Sequence, residues 1–188
     1  QMIDGSWTHV TVPDINSYFP TEIDFGPNGF VWFGFLEHDS PPYISSGGIK
    51  ILNTQNTLDD SSDDIWYILE NDVNNSGIKR VIYNHDNYTL NNNSPFWNQD
   101  VYSLVFSKTE GQDVLWVMGN TGVQGYLVSG KNLEAIYRHS DGTNKNFYGN
   151  LGFTKSDRLK VDPQNNIWIV TQHSGIRVIK SNTERWPT

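Results

Sequence analysis

The chain has 188 residues, no Cys, 13 Lys and Arg against 21 Asp and Glu, and a net charge of −8. The missing thiols exclude disulfides, thiolate metal sites and Cys nucleophiles. The acidic balance, with basic residues scattered singly, argues against a nucleic-acid partner, whose phosphates need a basic stripe. Seven Trp in a sequence that is 36% apolar are ample for a packed core, and no apolar run approaches the roughly 20 residues that span a bilayer.

Apolar residues alternate with polar ones at period two, and turn residues bound the alternating runs, which reads as strands. In chain order, residues 6–12 form a leading outer strand. Ile23-Asp24-Phe25 then alternates, Pro27-Asn28-Gly29 turns, Val31-Trp32-Phe33 returns, and Gly48-Ile49-Lys50-Ile51 opens a further strand. Two insertions enlarge this unit, one over 37–46 and one over 53–76, with outer strands at 65–69 and 79–83. The pattern recurs as Leu104-Val105-Phe106, the turn Glu110-Gly111, Leu115-Trp116-Val117 and Gly122-Val123, with an outer strand at 133–137. It recurs again as Leu159-Lys160-Val161-Asp162, the turn Pro163-Gln164-Asn165-Asn166, Ile167-Trp168-Ile169 and the strand 175–179. Gly or Asn supplies the positive φ that such turns demand.

A two-stranded hairpin cannot hide a flat Trp face alone, so the repeated units must pack face to face, with each Trp filling the wedge beside the next unit. The spacings between the three Trp, 84 and 52 positions, are loose around the roughly 40 to 50 of propeller blades. The expected fold is therefore all-β: an array of about three four-stranded blades over 20–90, 98–140 and 156–188 within a single segment, 1–188. Three units fall short of the roughly four blades of a closed ring. The chain therefore reads as an open segment, completed by the remainder of a longer chain or by neighbouring chains.

These residues resemble the two-component-regulator propeller family. The run over 159–179, LKVDPQNNIWIVTQHSGIRVI, is similar to that family's repeat of an aliphatic strand, an Asp-led turn, a WIGT element and a Gly-initiated strand. Val31-Trp32-Phe33-Gly34 and the segment 116–123 fit the same unit with decay, and the Asp-led turn is lost after Phe106, where Ser107-Lys108-Thr109-Glu110-Gly111 stands. Gly47-Gly48-Ile49, the acidic segment leading to Trp66 and Val101-Tyr102-Ser103-Leu104-Val105-Phe106 are also similar to the propellers of the PorZ family of type IX secretion surface proteins. The resemblance implies a bacterial extracytoplasmic location, in the periplasm or at the cell surface. The start at Gln1 fits a processed chain or one cut from something longer.

Candidate chemistry is sparse. Residues 59–64 supply oxygen ligands suited to calcium, with a solvated turn before the Trp66 strand as the alternative. The segment 72–77 matches the first half of an EF-hand loop, yet Tyr83 stands where the bidentate Glu belongs. His9, His38, His85, His139 and His173 share no metal spacing, and the expectation is no metal site and no cofactor. Asn74, Asn87 and Asn92 head glycosylation-type sequons, which carry little meaning in a bacterial chain.

Aromatic residues in otherwise loop-like segments are the candidate binding residues: Tyr43, the pair Phe96 and Trp97, and the pair Phe147 and Tyr148. Rings beside Asn amides suit a sugar, stacking on its apolar face while the amides bond its hydroxyls; sealing of blade edges is the alternative. The function expected is a non-enzymatic surface or periplasmic module for protein or glycan binding or scaffolding, associated with type IX secretion. An extracytoplasmic sensor propeller of a two-component receptor is the alternative. A carbohydrate-active enzyme is the weaker one, since no paired carboxylates stand out at matching repeat positions.

Overall fold

The computed structural model describes residues 2–3, 6–7, 10, 12, 20–38, 45–58, 60–72, 77–83, 89–90, 100–119, 122–130, 132–136, 154–173 and 175–181. They form strands and turns. A short antiparallel ladder joins β1 (Met2–Ile3) to β2 (Ser6–Trp7). The first sheet runs in chain order through β3 (Pro20–Phe25), β4 (Val31–His38), β5 (Ser45–Asn53), β6 (Ile65–Asp72) and β7 (Gly77–Tyr83), all antiparallel. After β8 (Thr89–Leu90), the second sheet follows as β9 (Val101–Thr109), β10 (Gln112–Gly119), β11 (Gly122–Ser129) and β12 (Asn132–Ala135), with β8 added parallel to β12. The third sheet is β13 (Arg158–Val161), β14 (Ile167–Thr171) and β15 (Gly175–Ile179). The chain is thus an all-β, open propeller-like array whose sheets pack mainly through their first strands, β3 on β9 and β9 on β13.

Local chemistry explains the hairpins. The β3–β4 and β13–β14 turns are built alike: the N–H of Gly26 donates to Phe30 O at 2.8 Å and that of Asp162 to Asn166 O at 3.1 Å. Asn28 (φ 66) and Asn165 (φ 62) take the left-handed backbone in these turns, a conformation their short polar side chains tolerate. The β9–β10 hairpin closes with two left-handed residues, Glu110 (φ 52) and Gly111 (φ 80), the turn whose twist matches antiparallel strands.

Several sequence expectations change. The first two sheets have five strands rather than four, because the β6–β7 hairpin and the short parallel β8 extend them, while the third has three among the described residues. Of the leading strand over 6–12, the described Ser6–Trp7 pairs with Met2–Ile3, and the described Val10 and Val12 are irregular. Gly48 does not open its strand, since β5 begins at Ser45 and extends the hairpin with β4. The acidic segment is the β5–β6 turn, and Asp72 pairs with Gly77 across a β-hairpin where an EF-hand would place helices.

Trp32, Trp116 and Trp168 all stand on the second strand of their sheets, opposite Asp24, Val105 and Lys160 of the first strand and Ile51, Gly125 and Val178 of the third. Trp116 and Trp168 face away from the preceding sheet. Trp32 packs with Ile49, Ile51, Leu104, Leu115 and Tyr126 in the core between the first two sheets. Trp116 packs with Val105, Met118, Leu159, Ile167 and Ile169 between the second and third. Gly125 must be glycine, because a Cβ there would lie 2.9 Å from the Trp116 ring. Trp168 departs from the wedge-filling role expected of it: it is 40% exposed, since no described sheet follows.

Candidate functional site

Three register-equivalent residues decide how each Trp is held. Two positions along the first strand from the Trp's partner stand Gly26, Ser107 and Asp162, diagonal neighbours on the same face. The Trp168 indole N–H donates to Asp162 Oδ2 at 2.8 Å, and the Trp116 indole N–H donates to Ser107 Oγ at 3.0 Å. Ser107 therefore takes over the acceptor role of the Asp that the second unit lacks. In the first unit the Trp32 ring itself occupies the space, since a Cβ on Gly26 would stand 2.6 Å from Trp32 Cδ1 and 2.9 Å from Phe106 Cζ.

Asp162 also accepts the backbone N–H groups of Gln164 and Asn166 at 2.9 Å and the Asn166 amide at 2.8 Å. The hydrogen bond from the Trp168 indole, followed by that from the Asn166 side chain, holds its pKa below the ordinary carboxylate value.

Polar bonds between first strands stitch the sheets together near their common axis. Thr21 donates to Val101 O at 2.6 Å, Ser103 Oγ donates to Glu22 Oε2 at 3.0 Å, and the Leu159 N–H donates to Ser103 Oγ at 3.0 Å. The Glu22 carboxylate further faces Lys160 Nζ at 3.7 Å and Arg158 Nε at 4.0 Å. One buried serine and one carboxylate thus join all three sheets.

The hairpin-turn end of the array holds an open groove of about 490 Å³, lined by Phe25, Pro27, Asn28, Phe106, Lys108, Asp113 and Asn165. That volume lies within the roughly 300 to 1,000 Å³ of ligand sites. All three sheets contribute. Phe25 is 69% exposed, while Phe106 is held edge-on against Trp32 with ring centres 5.1 Å apart. Asp24 Oδ2 accepts the Phe106 N–H at 2.8 Å, Asn165 Oδ1 accepts the Lys108 N–H at 3.0 Å, and Lys108 Nζ pairs with Asp113 at 3.0 Å. The groove offers an aromatic platform, two amides and an internally neutralised ion pair. Such a surface stacks on a flat apolar face and exchanges hydrogen bonds.

The candidate binding residues Tyr43, Phe96, Trp97, Phe147 and Tyr148 lie outside the described residues. The described residues bordering the first two segments meet at the opposite end of the array from the groove, where the Glu37 N–H donates to Asp100 Oδ1 at 2.8 Å. Thr154, which follows the third, is held at the start of its own sheet: buried Asp157 accepts the N–H groups of Thr154 and Gln172, both at 2.7 Å.

The groove was missed because Phe25 and Phe106 read as ordinary core residues of alternating strands. Their shared register and the Asn in both Pro-led turns were the available signal.

In the acidic turn, Asp60 accepts the Ser62 hydroxyl at 2.6 Å and its N–H at 2.9 Å, which lowers its pKa, and both Asp63 oxygens accept Thr57 Oγ1 at 2.8 Å. Burial, then the charges of Asp63 and Asp60, raise the pKa of Asp64. Asp60 and Asp63 are thus engaged within the turn. Among the described residues no group of three or more His, Asp or Glu is disposed to hold a metal ion, and no helix is long and apolar enough to cross a membrane.

An array of antiparallel sheets meeting at their first strands, with a Trp of the second strand facing each wedge, defines a propeller-like protein. The chain is similar in structure to PorZ, an essential bacterial surface component of the type IX secretion system of Porphyromonas gingivalis. The two superpose with a TM-score of 0.60 at 20% sequence identity, over 95% of this chain and 22% of PorZ. The chain is therefore similar in fold to about a fifth of PorZ. No protein-family model and no curated protein sequence matches it.

Proposed function

We propose that this chain is a non-enzymatic binding module of a bacterial surface or periplasmic protein associated with type IX secretion, and that it presents its turn-end groove to a protein or glycan partner. The observation that carries this reading is the groove. Three sheets hold an exposed Phe25 beside Asn28 and Asn165, and its neighbours are fixed by inter-sheet bonds. Binding residues concentrate on turns held by a rigid scaffold, and this arrangement is of that kind. The fold likeness to a secretion-system surface component supports the setting.

Glycan-array and envelope pull-down binding, compared between wild type and Phe25→Ala, tests the proposal. Binding should weaken at least about tenfold, or roughly 1.4 kcal/mol, with little change in melting because Phe25 is largely exposed. Loss with Trp97→Ala and not with Phe25→Ala would move the site to the Trp97 segment. Turnover of a polysaccharide or peptide, abolished by one carboxylate or His substitution that leaves the fold intact, would overturn the non-enzymatic reading.

A further inference from the structure

The face of the third sheet that bears Trp168 is apolar and open. Trp168 pairs with Val178 and Val170 with Ile176 across β14 and β15, so all four side chains share that face. Their exposures are 40, 37, 46 and 67%. The register-equivalent residues of the second sheet, Trp116, Met118 and Val123, are 4, 0 and 1% exposed, and those of the first, Trp32, Ile49 and Ile51, are all 0%. In both of those sheets the face is closed by the first strand of the next sheet, through Leu104 and Phe106 of β9 and through Leu159 and Val161 of β13. The corresponding residues of β3 are Ile23 and Phe25, which are 53 and 69% exposed. The chain therefore carries both halves of its own repeated interface, each uncovered.

We propose that the Trp168 face docks a second copy of this chain head to tail, with Ile23 of one copy laid over Trp168, Val170, Ile176 and Val178 of its neighbour and Phe25 left at the groove. The contact continues the two sheet-to-sheet interfaces inside the chain and uses the same residue positions. Because it joins unlike surfaces, it is heterologous and can close into a ring. Two copies bring together six of the larger sheets formed by the described residues, three from each, within the roughly four to eight of closed propellers.

Sedimentation velocity across a concentration series tests this, with Ile176→Lys to block the socket and Ile23→Lys to block the plug. Both positions are exposed, so the folded monomer tolerates either change, and Ile23 lies outside the groove. Wild type should rise from the 21.5 kDa monomer toward twice that mass, and each variant alone should stay monomeric. An equimolar mixture should form a dimer again, since one intact socket then meets one intact plug. A wild type that remains monomeric up to about 100 µM, a weak-association scale, overturns the proposal and leaves the face to a different polypeptide. Association of either variant alone, or a mixture that stays monomeric, overturns it as well.

Discussion

Replacing Trp32 by Ala should cost far more than the same change at Trp168, although the two residues hold the same place in their sheets. Trp32 is wholly buried, meets Phe106 edge-on, and lies so close to Gly26 that no Cβ fits there. Its neighbours are fixed in strands on both sides of the wedge and cannot collapse into the space. Emptying it should cost about 3 to 5 kcal/mol, of which the ring pair supplies roughly 0.5 to 1.5. Trp168 is 40% exposed on an open face, so truncation there leaves no enclosed cavity and removes partial apolar burial and the hydrogen bond to Asp162, together on the order of 1 to 3 kcal/mol. Against a typical total stability of about 5 to 15 kcal/mol, the two outcomes separate readily. Urea unfolding at low micromolar protein, where self-association does not contribute, should show a large midpoint shift for Trp32→Ala and a small one for Trp168→Ala, with the m-value unchanged. Equal losses, or a greater loss at Trp168, would refute the claim that the third sheet's Trp face is open.

Gly26→Ala should destabilise by about 1 to 3 kcal/mol through overpacking against Trp32 and Phe106, read in the same melts. Ser107→Ala removes the acceptor of the buried Trp116 indole and should cost about 1 to 3 kcal/mol. In a double-mutant cycle with Trp116→Phe, the two losses should sum to more than the loss in the double variant. Asp162 has a lowered pKa in the folded chain, so its stabilisation is present above the unfolded value near pH 4 and fades as pH falls through the folded value. Asp162→Asn should accordingly lower stability at neutral pH and converge with wild type in acid. A constant gap down to the acid-unfolded range would show that the carboxylate's charge is not what holds the turn.

Most strands and the hairpin turns were legible in the sequence, whereas the parallel addition of β8 was not. Alternation at period two, Asn or Gly at left-handed turn positions and the repeated aliphatic-Trp-aliphatic triplet are local properties, set by a strand's pleat and a turn's backbone. For the same reason the three Trp could be placed on equivalent strands before any packing was known. What lies between sheets was not legible. That Ser107, which stands where the repeat has Asp, accepts the Trp116 indole N–H is shown only by the pairing of β9 with β10. The groove gathers Phe25, Phe106 and Asn165 from positions up to 140 residues apart, a convergence that depends on how the first strands meet at the axis. The contrast between buried Trp32 and exposed Trp168 likewise has no local cause: both sit in the same triplet and the same register, and burial depends on whether another sheet lies across the face.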